Sequence, residues 1–261
     1  MPGAVTSRWL TNQADGPDVM LRVFCLPHAG GGRAALRAWT RDQPPGVDIR
    51  AILLPGRDDR IGEPSPAGIV ALAETLAPVL LPYLDVPYAL VGNSVGALLA
   101  FELGRRLQQR YCLPPLRLVA AASRPPGAVT ELPPVGALTD SELVGEVQGR
   151  FGGIAAEILH HPDYLRAFLP PLRADLVMAQ AYLPPPGPLL ACPVTAVVGA
   201  GDVSMSRADL AGWADVTECD FASVELPGDH FALLGHRDRL LGPVRAEAAL
   251  VQAGSAAGHA I

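Results

Sequence analysis

The chain has 261 residues, 49% of them hydrophobic and 18% charged, with a formal net charge of −6. That is enough length and apolar material for one sizeable core, and with no basic stripe the acidic balance argues against nucleic acid and anionic membrane surfaces. Met1 to Asp18 has no apolar run behind a basic start, and no window reaches membrane-span length, so the chain reads as soluble and cytoplasmic.

Short β-rich runs alternate with helical patterns, which predicts a mostly parallel sheet flanked by helices, an α/β fold. The first strand, Leu21 to Leu26, ends at Pro27-His28-Ala29-Gly30-Gly31-Gly32. A second, Asp48 to Leu54, is stopped by Pro55-Gly56. Ile69 to Leu84 has helical spacing that Pro78 and Pro82 should shorten or kink. Pro87 to Val91 is a buried strand running into Gly92-Asn93-Ser94-Val95-Gly96, and Val95 to Arg110 follows as an amphipathic helix. Arg117 to Ser123, Pro193 to Gly199 and Ala222 to Leu226 are further strands, and Arg237 to Val251 is a closing helix before a frayed Ala/Gly-rich tail.

Between Ser123 and Pro193 the alternation lapses. Helical fragments at Thr139 to Phe151, Ile154 to Leu159 and Pro162 to Leu183 replace it, since a structureless loop of that length would be unusual. The expected organisation is one domain over residues 1–261, with residues 124–190 forming an inserted helical lid. Gly136, Gly149, Gly152 and Gly153 are its candidate hinges. Its apolar residues, among them Leu143, Val147, Phe151, Ile154, Leu165, Phe168 and Leu169, are either ordinary core or an acyl pocket, and periodicity does not separate the two.

The chemistry concentrates at Ser94. A G-x-S-x-G pattern alone is common, but here a buried strand precedes it and an unbroken helix follows. That is the context in which small neighbours expose a serine Oγ on a sharp turn, with a helix N-terminus beside the developing oxyanion. A serine nucleophile needs a base, and the base an orienting acid. His230, in a loop between the last strand and the closing helix, is the candidate base. Asp202, in Gly199-Ala200-Gly201-Asp202 after a strand, is the candidate acid. His28 precedes the serine in the chain, His160 and His161 sit in the lid, His236 opens the last helix and His259 is in the tail. Asp229 and Asp175 are the competing acids, and neither ends a strand. The glycine-rich loop after the first strand supplies the second oxyanion donor, so the hole is assigned to the backbone N–H groups of Ala29 and Val95. His28, Asn93 and Phe231 are the candidate substrate contacts. The loop has neither GK[ST] nor GxGxxG, which argues against a phosphate cradle. Cys25, Cys112, Cys192 and Cys219 show no ligand spacing and are expected to be small buried hydrophobes in a reducing compartment; no metal site is expected.

The segments Phe24 to Gly31, Leu54-Pro55-Gly56-Arg57, Gly92 to Gly96, Phe101-Glu102-Leu103, Ser123 to Pro126, Leu172-Arg173-Ala174-Asp175, Tyr182, Trp213 and Leu226 to Phe231 run in order along most of the chain. Together they resemble type II thioesterases, the free-standing editing hydrolases of polyketide and nonribosomal peptide assembly lines. The resemblance implies an α/β-hydrolase core with a mobile helical lid and an acyl-serine intermediate. It implies a transient acyl or peptidyl carrier protein partner, whose phosphopantetheine carries the substrate. It implies no cofactor of the enzyme's own and a monomer. An acidic chain offers no long-range attraction to an acidic carrier, so docking would need a local patch. The family carries His before the nucleophile and Met after it, where this chain has Asn93 and Val95, a change expected to touch substrate range more than activity. A dedicated chain-releasing thioesterase or cyclase, an oxygen-ester carboxylesterase and a non-catalytic carrier-binding homologue are the rival readings.

Overall fold

In the first strand, β1 (Leu21–Leu26), successive side chains take opposite sides: Val23 and Cys25 join one apolar cluster, Phe24 and Leu26 another. This is the strand period of two with both faces covered, as in a buried parallel sheet. The computed structural model describes residues 7–11, 18–128 and 132–258, with side chains to 254. The N-terminal stretch read for a leader lies partly outside these residues, and His259 wholly so.

Six parallel strands form the sheet in the order β2-β1-β3-β4-β5-β6. They are β1, β2 (Val47–Ala51), β3 (Tyr88–Asn93), β4 (Arg117–Ala121), β5 (Val194–Gly199) and β6 (Phe221–Leu226). The helices are α1 (Arg37–Thr40), α2 (Ile69–Leu80), α3 (Val95–Tyr111), α4 (Asp140–Arg150), α5 (Ala156–His160), α6 (Pro162–Gln180) and α7 (Arg237–Gly258). Trp39 of α1 and Leu241, Val244 and Ala248 of α7 cover one face; α2 and α3 cover the other through Leu72, Leu76, Leu99 and Leu103. Trp39 anchors its corner further by donating its indole N–H to the Leu233 carbonyl at 3.1 Å. This two-faced covering follows from right-handed crossovers that leave β1 in one direction and β3 in the other.

The expected elements are present, with local differences. Pro78 lies inside α2 on its exposed side; the helix ends at Leu80, and a 3-10 turn containing Pro82 follows. The closing helix does not stop at Val251 but continues to Gly258, replacing the frayed tail expected after Gln252 up to that point. Only Cys25 and Cys192 are buried. Cys112, in the left-handed C-cap of α3, and Cys219, in the turn before β6, are exposed.

The segment between β4 and β5 is helical, carrying α4, α5 and α6. Thr139 caps α4 in a reciprocal box with Glu142. Gln180 bonds the Val135 N–H and the Leu132 and Pro133 carbonyls, tying the end of α6 to the start of the insert. At its exit Tyr182 donates its hydroxyl proton to the buried Glu102 carboxylate of α3 at 2.8 Å, and Arg106 bonds the other oxygen. The insert lies over the C-terminal ends of the strands, where the Phe151 ring packs 4.6 Å from the His230 ring.

Candidate active site

Where connections from two neighbouring parallel strands leave in opposite directions, a crevice opens at their C-terminal ends. Here those strands are β1 and β3, and they end in the glycine loop and in Ser94 respectively. Ser94 has φ +55° and ψ −122°, a strained conformation for a residue with a Cβ. The turn survives because its neighbours have no side chain: a Cβ on Gly92 would lie 2.2 Å from the Gly96 carbonyl oxygen, and one on Gly96 2.4 Å from the Leu26 carbonyl oxygen. The Ser94 N–H is held by the Ala121 carbonyl at 2.8 Å, so the backbone fixes the half-buried side chain. Among the described residues its Oγ makes no hydrogen bond, and Val95 begins α3 with a free first-turn N–H.

His230 and Asp202 come from loops after β6 and β5. Those loops are sewn together: Ala200 N–H donates to the Leu226 carbonyl and Gly201 N–H to the Gly228 carbonyl, each at 2.8 Å. Gly199 permits the approach, since a Cβ there would lie 2.0 Å from the Asp229 carbonyl oxygen. His230 Nδ1 consequently sits 2.8 Å from Asp202 Oδ2, with both side chains buried. The ring donates from Nδ1 to the carboxylate, leaving Nε2 with the lone pair. Asp202 Oδ1 accepts from the Ser204 N–H at 2.9 Å and its hydroxyl at 2.6 Å. Burial by itself raises the Asp202 carboxyl, but the His230 and Ser204 hydrogen bonds outweigh it and hold the group below the ordinary carboxylate value.

Ser94 and His230 together line two cavities. The larger, about 660 Å³, runs from the His28–Gly32 loop under the insert, and Val147, Phe151, Ile154 and Phe168 contribute its apolar wall. Leu143 and Leu169 are instead ordinary core, and Leu165 packs partly buried against it. The smaller, about 350 Å³, extends past Val95, Arg124, Gln180 and Ser204. Phe151 and Leu176 border both.

The glycine loop places Ala29 at the larger cavity. His28 and Phe231 also line it, their rings 4.8 Å apart edge to face. Burial above all, with His230 and the Arg57 guanidinium nearby, pushes the His28 imidazole down to about 4, and its Nδ1 is buried without a hydrogen-bond partner. Asn93 is elsewhere. Its amide is fully buried, lines neither cavity, and leaves both polar atoms without partners. Asn93, the residue before Ser94, is the last of β3 and is buried in the packed interior. Val95 borders the smaller cavity. His160 and His161 are exposed on the insert, and His236 bonds the Pro227 carbonyl. Asp229 accepts from the Phe231 N–H on the surface, and Asp175 is buried against Arg57. Ser204 escaped the sequence reading, although Asp-x-Ser is the local pattern of an Asx turn.

A serine on a strained strand-to-helix turn after β3, with a carboxylate–imidazole pair delivered by the loops after β5 and β6, defines an α/β-hydrolase. The chain matches the Thioesterase domain family model over residues 21–247, and it belongs to the thioesterase family. Among relatives, it is 30% identical over 227 residues to the gramicidin S biosynthesis protein GrsT of Aneurinibacillus migulanus, covering 87% of this chain and 88% of that one. Among solved structures, it resembles the type II thioesterase BorB from the borrelidin biosynthetic cluster (TM-score 0.81, 33% identity, 92% of this chain and 97% of that one). It also resembles the RedJ thioesterase from the prodiginine pathway in Streptomyces coelicolor (TM-score 0.78, 34% identity, 88% and 91%). The likeness to type II thioesterases read from the sequence is borne out.

Proposed function

We propose that the protein is a type II thioesterase that hydrolyses acyl groups from the phosphopantetheine thioesters of acyl or peptidyl carrier proteins, in polyketide or nonribosomal peptide biosynthesis. The observation that carries this reading is the strained Ser94 turn sharing two cavities with the His230–Asp202 pair, in a chain of the thioesterase family. The names of its relatives support the pathway class.

In this reading His230 Nε2 takes the Ser94 proton as Oγ attacks the thioester carbonyl. Asp202 holds the ring and balances the imidazolium charge. The tetrahedral oxyanion lies between the N–H groups of Ala29 and Val95. Collapse breaks the C–S bond, and the departing pantetheine sulfur takes the proton from His230 and leaves as the thiol. Water then gives a proton to His230 and attacks the acyl-serine. The second tetrahedral oxyanion collapses, releasing the carboxylic acid and returning the proton to Ser94. The chemistry requires no cofactor beyond the arm the carrier brings, and the carrier docks transiently on a monomer in the cytoplasm.

The test is intact-mass spectrometry of the protein mixed with acyl-carrier and acyl-N-acetylcysteamine thioesters, alongside turnover assays. Wild type is expected to show an acyl adduct and to release free acid from a range of short acyl groups; Ser94→Ala is expected to lack the adduct and lose at least about 10⁴-fold in kcat. Absence of both adduct and hydrolysis in wild type would sink the enzyme reading. Turnover confined to one long product chain would favour dedicated release instead.

A further inference from the structure

Ala29 lies between two peptide groups, and both are pinned. The His28 carbonyl accepts from the Gly31 N–H at 2.9 Å. Because the peptide is planar and trans, the Ala29 N–H must point opposite to that carbonyl. The next peptide is fixed through its N–H: Gly30 donates at 2.9 Å to Asp175 Oδ2. Asp175 belongs to α6, 145 residues further along the chain, and its side chain is fully buried.

The same carboxylate takes two hydrogen bonds from Arg57, from Nη1 at 2.6 Å to Oδ2 and from Nη2 at 3.0 Å to Oδ1. Arg57 also reaches the Gly31 carbonyl at 3.4 Å and the Pro55 carbonyl at 3.2 Å. The fit is close on the apolar side too. Gly30 has φ +71°, and a Cβ there would lie 2.9 Å from the Phe168 ring and 3.2 Å from Leu172 Cβ. Phe168, Leu172 and Asp175 share one face of α6 by the i, i+4, i+7 spacing. One face of the inserted helix therefore grips the loop that carries an oxyanion donor.

We propose that Asp175 is a positioning residue for the oxyanion hole: from α6, together with Arg57, it holds the His28–Gly31 loop in the one conformation that aims the Ala29 N–H at the reacting carbonyl. The inference rests on the acyl-serine reading above. The alternative is a buried ion pair that contributes to folding alone. The two differ in what they move. Losing an interaction made only with the developing oxyanion lowers kcat, leaves KM near its original value, and weakens oxyanion-mimicking inhibitors.

The experiment compares wild type, Asp175→Asn and the charge-free pair Arg57→Met/Asp175→Leu, which leaves no lone buried charge if the single variant fails to fold. Each is assayed for thermal midpoint, for kcat and KM on one acyl-N-acetylcysteamine, and for inhibition by an alkyl boronic acid and by the matching alkyl alcohol. Positioning predicts a fall of about 10- to 100-fold in kcat in whichever variant folds, with KM within about threefold, because part or all of one donor is lost. Boronate binding is expected to weaken in parallel while alcohol binding holds. A folded variant with kcat and boronate affinity within about twofold of wild type overturns the proposal, as does equal loss of boronate and alcohol. Failure of both variants to fold assigns the pair to folding and overturns it as well. Wild type is checked by intact mass in the same series. If it forms no acyl-serine, the hydrolase reading falls and takes this inference with it; an active wild type beside an undiminished variant removes the positioning role alone.

Discussion

At the scale of single residues, the Asp202 carboxylate is occupied on both oxygens, one by His230 and the other by Ser204. Asp202→Asn is therefore expected to lower kcat on the order of 10³- to 10⁴-fold, because the amide nitrogen would oppose Nδ1–H and turn the ring to its other tautomer. Ser204→Ala, which leaves the Ser204 N–H contact in place, should cost far less; steady-state kinetics on one thioester ranks the two. His28 gives a prediction in stability. Its folded-state pKa is depressed to about 4 from 6.5, so between those values the unfolded chain binds a proton that the folded protein does not. That part of the stability is present above about pH 6.5 and lost as the pH falls toward 4. Urea melts at pH 7 and pH 5 should show a steeper acid-side loss in wild type than in His28→Gln. Equal losses would show that the ring does not titrate in this way. Asn93 makes a contrasting case, since adjacency to Ser94 in sequence suggested a substrate contact while its amide is fully buried at the strand end.

At the scale of elements, the elbow shows most directly how local sequence becomes a site. Gly92 and Gly96 stand where the turn from β3 into α3 passes within 2.2 and 2.4 Å of carbonyl oxygens from their imagined Cβ positions. Backbone, unlike a flexible side-chain end, cannot move aside cheaply. Gly96→Ala is expected to cost about 3 kcal/mol or more in a denaturant melt, and the surviving folded fraction to acylate poorly because Ser94 shifts with the turn. A stable, fully active Gly96→Ala would mean the turn is looser than the geometry implies. Strands, helices and the elbow were legible in advance because each is specified by near neighbours: period two in Val23 to Leu26, period near 3.6 in Leu99, Leu103 and Leu107, glycines at the turn. The helix expected over Ile69 to Leu84 is shortened as its prolines suggested, ending at Leu80 before the turn that holds Pro82, while Pro78 is accommodated within it.

At the scale of the whole molecule, the sheet separates function from stability by its two ends. The site lies beyond the C-terminal ends of β1, β3, β5 and β6. Toward the N-terminal ends, Asp48 is buried between two guanidinium groups, Arg22 and Arg50, at 2.7 Å each, and the Arg50 guanidinium stacks 4.4 Å from the centre of the Tyr83 ring. Removing the shared carboxylate takes one ion pair from each guanidinium, though Arg22 keeps Asp85 at 2.5 Å, and such a loss costs about 3 kcal/mol. Asp48→Ala should therefore melt well below wild type yet keep kcat within about threefold at low temperature; a large fall in kcat with an unchanged melt would contradict this division. Among the described residues no helix is long and apolar enough to cross a membrane.

The amino-acid sequence by itself determined the alternation of strands and helices, the Ser94 turn, and the choice of His230 and Asp202 as candidate partners for that serine. Each of these is written in adjacent residues or in the order of loops along the sheet. Only the tertiary structure decided which residues of the insert are core and which wall the cavity, since Leu143 and Phe151 share the same helical periodicity. It also decided that Asn93 is interior, that Cys112 and Cys219 face outward, and that Asp175 meets Arg57 and Gly30. The physical reason is distance along the chain. Contacts spanning 118 and 145 residues leave no local pattern, and they come into being only when α6 docks over the ends of the strands.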